Sequence, residues 1–352
     1  MGTAVIPGWR QNSPRIAVII PARNEADGIA RSVTSLLNQA GGGTLHIFLV
    51  DDDSSDGTAE IARRAAAHAG KPSALTVIQG RPLEPGWTGK LWAVQQGIES
   101  ARAFHPEFFL LTDADILHAP DSIVTLAAIA ESRPCDLASF MVRLHCSTAA
   151  EKFLIPAFVF FFFQLYPPAW ISGQSRKTAG AAGGSILIRP DVLEAAGGIQ
   201  AIRSEIIDDC ALARAVKSKG GKLWLGMTEG TLSLRSYGTL GEIGRMISRN
   251  AFRQLNHSAL LLLAAITGLA VTYLFPPALL LAHHPLPMVL GGTAWLLMAV
   301  AYLPMVRFYR LNPLWSLTLP CIAGFYMGAT LHSAIKFWTG RGGEWKGRAQ
   351  DQ

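Results

Sequence analysis

The sequence predicts an α/β fold with a mainly parallel central sheet in its first half, followed by C-terminal transmembrane helices. Short apolar, β-branched runs alternate with helical patterns of apolar residues, and each run ends in a polar cluster, which is typical of a parallel sheet. Only 16% of the 352 residues are charged while 50% are hydrophobic, which is typical of a membrane-associated protein. Residues 258–338 contain just three lysines or arginines and no acidic residue, so we place the membrane part there.

Four strands are predicted from the first four apolar runs, at residues 15–20, 46–50, 75–78 and 108–111. A helix follows each of the first three: the spacing of Ile29, Val33 and Leu36 predicts the first, an alanine-rich stretch the second, and residues 92–102 the third. Strand–helix alternation implies right-handed crossovers, which bring the strand ends to one edge of the sheet. Ligands of such sheets bind at that edge.

Three apolar stretches are long enough to cross a bilayer, at residues 258–282, 288–306 and 314–338. Pro276 and Pro277 are expected to kink or end a helix in the first stretch, so we predict two to three transmembrane helices. The domain organisation predicted is a catalytic domain at 1–257, a membrane domain at 258–340 and a basic tail at 341–352.

The segment at residues 153–171 contains four consecutive phenylalanines but also three prolines. Its length and prolines favour a helix lying at the membrane interface, with a buried core helix as the alternative.

The first half is expected to face the cytoplasm in a multi-pass protein of the inner (cytoplasmic) membrane, because no signal peptide precedes the first strand. Three crossings would put Arg341, Lys346 and Arg348 outside, against the positive-inside tendency, whereas an even number would put them inside. The four cysteines are scattered, match no zinc spacing and are expected to be reduced.

Asp113 and Asp115 directly follow the fourth predicted strand. Two hard oxygen ligands at a strand end suit Mg²⁺ or Mn²⁺ held together with a substrate diphosphate. An ordinary turn is the alternative, since Asp-x-Asp is common there. Polar clusters at 21–25 and 51–58 end two neighbouring strands, so a nucleotide-sized crevice is expected. No G-x-G-x-x-G follows the first strand and no P-loop motif is present, which disfavours dinucleotide and P-loop binding.

Five motifs follow one another in an order that resembles the family 2 glycosyltransferases, whose nucleotide-sugar-binding fold is called GT-A. They are Pro-Ala-Arg-Asn-Glu at 21–25, Val-Asp-Asp-Asp-Ser-Ser-Asp-Gly-Thr at 50–58, Gly-Lys at 89–90, Asp-Ala-Asp at 113–115 and Asp-Asp at 208–209. Further stretches at 85–93, 154–161 and 207–213 resemble the glycosyltransferase associated with bacterial hopanoid biosynthesis.

The resemblance implies that Asp115 holds the metal and that Asp113 faces the ribose or a metal-bound water. It implies that Asp209 is the general base, with Asp208 in place of the usual glutamate. A carboxylate is a weak base unless burial or a neighbouring acid raises its pKa, and Asp208 is such a neighbour. The alternative is that both acids cap a helix at 210–217.

The nucleotide is expected to bind along the first two strand ends. By resemblance, Pro21 and Ala22 line the base and ribose with Glu25, and Asp52, or else Asp51, accepts a hydrogen bond from uracil, which favours a UDP-sugar. A local Asp-rich turn is the alternative for residues 51–58.

Asp53 stands where the family commonly has glycine. Lys90 is expected to reach a phosphate, Gly184 to let the donor sugar approach the backbone, and Arg253 or Arg249 to contact the diphosphate. The family's Gln-x-x-Arg-Trp motif has no match here, which argues against a processive synthase.

The function implied is inverting, metal-dependent transfer of a sugar from a nucleoside-diphosphate sugar to a lipid hydroxyl, with a hopanoid or other polyisoprenoid as acceptor. The alternatives are transfer to a polyprenyl phosphate or carotenoid, and a membrane-anchored scaffold that binds a nucleotide sugar without turnover. No nucleic-acid partner is expected. A transporter is disfavoured because no charged residue lies in the middle of a predicted span.

Overall fold

The structure, a computed structural model of the chain, describes residues 14–41, 44–340, 344–345 and 348–349. An eight-stranded sheet lies at its centre. Its strands are β1 (Ile16–Ala22), β2 (Leu45–Asp51), β3 (Leu75–Gln79), β4 (Phe108–Leu111), β5 (Ile116–His118), β6 (Leu137–Arg143), β7 (Ile186–Ile188) and β8 (Leu223–Ser233). Two short strands, β9 (Glu344–Trp345) and β10 (Arg348–Ala349), pair antiparallel apart from it. The rest of the predicted basic tail lies outside the described residues.

The strand order is β3-β2-β1-β4-β7-β6-β8-β5. The first four strands are mutually parallel, which confirms the predicted parallel core. Beyond β4 the sheet becomes mixed: β7 is antiparallel to both neighbours, β6 and β8 are parallel, and β5 is antiparallel to β8. The register of β1 with β2 pairs Pro21 with Val50 and Ala22 with Asp51, so both polar clusters begin at the same edge.

Nine helices precede the C-terminal apolar region in the described chain. They are α1 (Ala26–Leu37), α2 (Thr58–His68), α3 (Gly89–Ala101), α4 (Ser122–Ser132), α5 (Ala149–Leu165), α6 (Pro168–Ser172), α7 (Pro190–Ala195), α8 (Asp208–Ser218) and α9 (Leu240–Gln254). The third helix begins at Gly89 rather than at the predicted residue 92, because the Thr88 hydroxyl accepts a hydrogen bond from Leu91 N and caps it. Lys90 therefore lies in the first helical turn.

The two faces of the sheet build two different cores. Successive side chains of β1 point to opposite faces. Val18 and Ile20 belong to a cluster with α1, α2 and α4. Ile19 belongs to a cluster with α3, α5 and α8, which continues to Tyr302 and Tyr326 in the C-terminal region. The second core therefore joins the sheet to the C-terminal apolar region.

Four helical segments are long and apolar enough to cross a membrane. They are Ala149–Ser172, Ala259–Leu281, Pro285–Phe308 and Pro313–Trp338. The first of them is the predicted interfacial segment. The last three contain α10 (Ala259–Leu269), α11 (Phe275–Ala278), α12 (Pro285–Phe308) and α13 (Leu319–Trp338). Leucines on their outer surfaces are widely exposed, for example Leu260 at 74% and Leu281 at 83%. A continuous apolar exterior of this kind suits contact with lipid.

The predicted irregularity at Pro276 and Pro277 occurs, but it does not end the segment. A π-helical turn, Ala270–Leu274, lies directly before α11, and helical structure resumes through the proline pair. Such π-helical turns occur as single-turn insertions within α-helices.

Polar contacts fix the C-terminal helices to the part of the chain that carries the sheet. The Tyr326 hydroxyl of α13 donates to Leu154 O of α5 at 3.0 Å. Leu144 N, just after β6, donates to the Tyr309 hydroxyl at 3.3 Å. These contacts, together with the shared core, hold α5 between the sheet and the C-terminal apolar helices.

A test of the packing between α3 and the sheet is offered by Gly97. A Cβ there would lie 2.6 Å from Ile19 Cγ2 and 3.2 Å from Val50 Cγ2, on two buried strands. We expect Gly97→Ala to lower the free energy of unfolding by about 1–2 kcal/mol, because overpacking outweighs the gain in helix propensity. Gly28→Ala in α1 is the matched control, since its nearest atoms are 3.8 Å away. Thermal unfolding in detergent measures both, and equal stabilities would contradict this packing.

Candidate active site

A cavity of about 350 Å³ opens at the carboxyl edge of the sheet. Its acidic and basic lining residues, here called the polar end, include Glu25, Lys90, Asp113, Asp115, Asp208 and Asp209. Its apolar lining residues, here called the apolar end, include Met141, Val142, Leu144, Phe158 and Phe162, the last two from α5. Pro21 and Gly184 also line it. Predicted site residues from four of the five motifs, together with Gly184, therefore meet in one cavity.

Lys90 bridges two of the acidic residues. Its Nζ lies 2.8 Å from Asp113 Oδ1 and 3.0 Å from Asp208 Oδ2. Burial acts to lower the pKa of Lys90, but the charges of Asp113 and Asp208 outweigh it and raise that pKa. Lys90 is therefore a fixed positive charge at the polar end, where the sequence predicted a phosphate contact.

Asp209 is held by backbone groups rather than by a cation. Its Oδ2 accepts from Gly183 N at 2.9 Å and its Oδ1 from Cys210 N at 2.7 Å. Burial, reinforced by repulsion from the Asp208 carboxylate, raises the pKa of Asp209 to about 6, against the opposing effect of Lys90 and the two backbone hydrogen bonds. The carboxylate is thus a stronger proton acceptor than an ordinary aspartate.

The helix-capping alternative describes these acids only in part. Both lie in the first turn of α8, where a negative charge is favourable. The N-cap residue is Ile207, which has no side-chain cap, and Asp209 reaches across to Gly183 instead.

Arg235 is a site residue that the sequence analysis missed. Its Nε lies 3.0 Å from Asp115 Oδ2 and its Nη2 lies 3.2 Å from Glu25 Oε1. It follows β8 directly, and Leu234 N donates to Asp115 O at 2.7 Å, which fixes the strand end against the Asp-x-Asp. Buried and less buried residues alternate along β8, as is typical of a strand. The sequence does not show, however, that β8 pairs with β5.

Asp113 and Asp115 fit a divalent metal of the kind that takes its remaining oxygens from a substrate. Within the described residues no group of three or more His, Cys, Asp or Glu side chains is arranged to hold a metal by itself. Mg²⁺ commonly uses one or two carboxylates together with substrate phosphates. A pair of carboxylates at the mouth of a cavity with room for a diphosphate meets that requirement.

Of the residues predicted to bind the base and ribose, Pro21 and Glu25 line this cavity, whereas Ala22, Asp51 and Asp52 lie at the same sheet edge but do not line it. Asp52 is buried, and its Oδ2 lies 3.6 Å from Nη1 of Arg23, a second residue that the sequence analysis missed. Asp51 accepts from Ser54 N at 3.3 Å, as the turn alternative predicts. Ala22 is also fully buried.

The position of Asp53 explains why the family commonly has glycine there. Its φ is +57°, in the left-handed region that glycine adopts without strain and that aspartate tolerates better than most residues.

Gly184 and the arginines of α9 complete the predicted set. A Cβ at Gly184 would lie 2.8 Å from Val142 Cγ1. The close approach of these two segments therefore requires a residue without a side chain at position 184. Arg249 lines the cavity, whereas Arg253, one helical turn later, does not. Of the two arginines offered by the sequence, Arg249 is the one that the fold directs to the site.

Comparisons with known proteins identify the family and the fold. Residues 17–195 match the family described as Glycosyl transferase family 2. The mannosyltransferase PcManGT from Pyrobaculum calidifontis, solved with GDP-Man and Mn²⁺, is similar in structure over 91% of this chain and 87% of its own, with a TM-score of 0.51 and 17% identity. No curated protein sequence matches the chain.

Two further solved structures are more distantly similar. S. aureus TarS 1-349 in complex with UDP-GlcNAc is 14% identical, with coverage of 93% and 92% and a TM-score of 0.43. Mannosyl-3-phosphoglycerate synthase from Rubrobacter xylanophilus is 17% identical, with coverage of 71% and 77% and a TM-score of 0.42. The fold shared with the mannosyltransferase is a GT-A-like sheet with a mostly parallel core.

Proposed function

The chain belongs to glycosyl transferase family 2, and from that premise we propose that it transfers a sugar, with inversion, from a nucleoside-diphosphate sugar to a hydroxyl group of a membrane lipid. The observation that carries this proposal is the mixed lining of the cavity: acidic and basic residues of the sheet edge and apolar residues of α5 border one space. A polar donor and an apolar acceptor therefore have adjoining places.

The donor's diphosphate is assigned to the polar end. Asp115 and Asp113 would hold Mg²⁺ or Mn²⁺ there, and such an ion neutralises the charge of a departing diphosphate. Lys90 adds a fixed positive charge beside Asp113. Gly183 and Gly184 offer backbone without a side chain where the sugar approaches.

Asp209 is assigned the role of general base. An acceptor hydroxyl attacks the anomeric carbon on the face opposite the departing diphosphate and loses its proton to the carboxylate. The raised pKa, about 6, brings Asp209 closer to neutral pH, where a base both is ionised and accepts a proton readily. The hydrogen bonds from Gly183 N and Cys210 N each hold one oxygen and so fix the orientation of the carboxylate.

The acceptor is assigned to the apolar end. Phe158 and Phe162 come from α5, which packs against the C-terminal helices, so this end adjoins the membrane part. A hopanoid or other polyisoprenoid fits an apolar lining, and the choice of a hopanoid rests on the sequence resemblance. We place the enzyme in the inner membrane with the cavity facing the cytoplasm.

One observation favours a second acceptor class. Arg249 also lines the cavity, and an arginine suits the phosphate group of a polyprenyl phosphate. Extraction of labelled lipid, followed by mild acid treatment, separates an acid-labile phosphodiester-linked sugar from a glycoside.

The function is tested by incubating the detergent-purified enzyme with radiolabelled UDP-sugars or GDP-mannose and with lipid extract. We expect labelled lipid from the wild type and at least a hundredfold less from Asp115→Asn and Asp209→Asn, because metal binding and proton transfer are each lost. Asp191→Asn is the matched control, an exposed acid in the first turn of α7. Full transfer by either site variant would refute its assigned role, and nucleotide-sugar binding without transfer would favour a scaffold. Lipidomics of a deletion strain identifies the missing glycolipid.

The pH dependence of transfer follows from Asp209. Because the base must be ionised, we expect kcat/KM to fall about tenfold per pH unit below a pKa of about 6. In Asp208→Asn the repulsion that helps to raise this pKa is removed, so the acidic limb should move to lower pH. An unmoved limb in that variant would exclude Asp209 as the titrating base.

The apolar end is tested with Phe162→Ala. Loss of one aromatic contact should lower kcat/KM for the lipid about tenfold while the KM for the donor stays unchanged. Phe163→Ala is the matched control, because that neighbour is similarly half-buried but does not line the cavity. Equal losses in the two variants would argue against an acceptor at this end.

A further inference from the structure

The Arg235 guanidinium is paired with Asp115, the carboxylate that the proposed function assigns to the metal. Its guanidinium contacts Asp115 Oδ2 through Nε and Glu25 Oε1 through Nη2. A divalent cation and a guanidinium that share one carboxylate repel each other, so each weakens the binding of the other.

The backbone around Arg235 is fixed independently of this ion pair. Leu234 N donates to Asp115 O at 2.7 Å, and Arg235 N donates to Ser233 Oγ at 3.3 Å. Two residues later, Tyr237 N donates to the buried Glu151 at 2.6 Å. The guanidinium can therefore change partner while the end of β8 stays in place.

The exposure of the three side chains indicates which one is able to move. Arg235 is 39% exposed, against 15% for Asp115 and 16% for Glu25. The carboxylates are packed into the site, whereas the arginine approaches them from the solvent side. A long side chain of this exposure has room to turn towards another anion.

We propose that Arg235 is a latch on the metal site: it neutralises Asp115 until a nucleoside diphosphate arrives, so that metal and nucleotide bind in a coupled manner. This rests on the proposed function, because the diphosphate of the donor is the anion that draws the Arg235 guanidinium away from Asp115. Phosphate oxygens offer a guanidinium two parallel hydrogen bonds, which replace those it makes with Asp115 and Glu25. Each ligand then raises the affinity for the other by the same factor.

The latch is tested by titrating the full-length protein in detergent with Mn²⁺, using calorimetry or the loss of the free-ion paramagnetic resonance signal. Without nucleotide, we expect Arg235→Gln to bind Mn²⁺ about tenfold more tightly than the wild type, within the usual range of coupling. Addition of GDP or UDP should tighten Mn²⁺ binding by the wild type about tenfold and by Arg235→Gln much less.

Two controls separate charge from other effects. Arg64→Gln removes an exposed ion pair with Glu60 on α2, and its Mn²⁺ affinity should equal that of the wild type. Arg235→Lys keeps the positive charge and should stay within about threefold of the wild type by the same electrostatic argument. Thermal unfolding confirms that each variant is folded.

The outcomes distinguish the latch from the proposed function. Equal Mn²⁺ affinities for Arg235→Gln and the wild type without nucleotide, or equal tightening by Arg235→Lys and Arg235→Gln, would overturn the latch even if the enzyme transfers sugar. Failure of wild-type sugar transfer would refute the proposed function. The nucleotide-free titration would still decide whether Arg235 competes with the metal for Asp115.

Discussion

The crowding of five carboxylates at one sheet edge is the constraint on which the site depends. Like charges at this distance repel, and an unpaired carboxylate away from water is costly. Lys90 and Arg235 each bridge two of the acids, so two positive charges offset part of the charge of four carboxylates. Asp209 is the fifth and receives only backbone N–H groups. This division leaves Asp209, whose pKa is raised by burial and by Asp208, without a cation partner, whereas burial raises the pKa of Asp113 against the opposing charge of Lys90.

The parts of the site that sequence could predict are those set by local patterns. An apolar run followed by acids was enough to place Asp113 and Asp115 at the end of β4, because a parallel strand that follows a helix ends at a known edge. Arg235 was out of reach, since it lies 120 residues from Asp115 and 210 from Glu25 and meets them only through the β8–β5 pairing.

The residues predicted to bind the base show the same limit of sequence analysis over a shorter separation. The motif placed Asp52 at the end of β2, but not the neighbouring guanidinium of Arg23, whose Nη1 donates to Asp52 O at 2.5 Å. Arg23 is thus oriented by the backbone, and its 3.6 Å separation from the Asp52 carboxylate is long for a charge-assisted hydrogen bond.

The elements that line the cavity also bear on the paths by which the two proposed substrates approach it. Its apolar end is built by α5, which shares a core with the membrane helices, and its polar end by the first turns of α3 and α8. The buried Glu151 in the first turn of α5 accepts hydrogen bonds from Thr148 N and Tyr237 N, so the helix on the lipid side and the chain that carries Arg235 share one anchor. Under the proposed function, a lipid approaching along α5 and a nucleotide approaching over Arg235 would meet at elements held by the same buried carboxylate. This shared anchor ties the position of the acceptor helix to that of the residue beside Asp115.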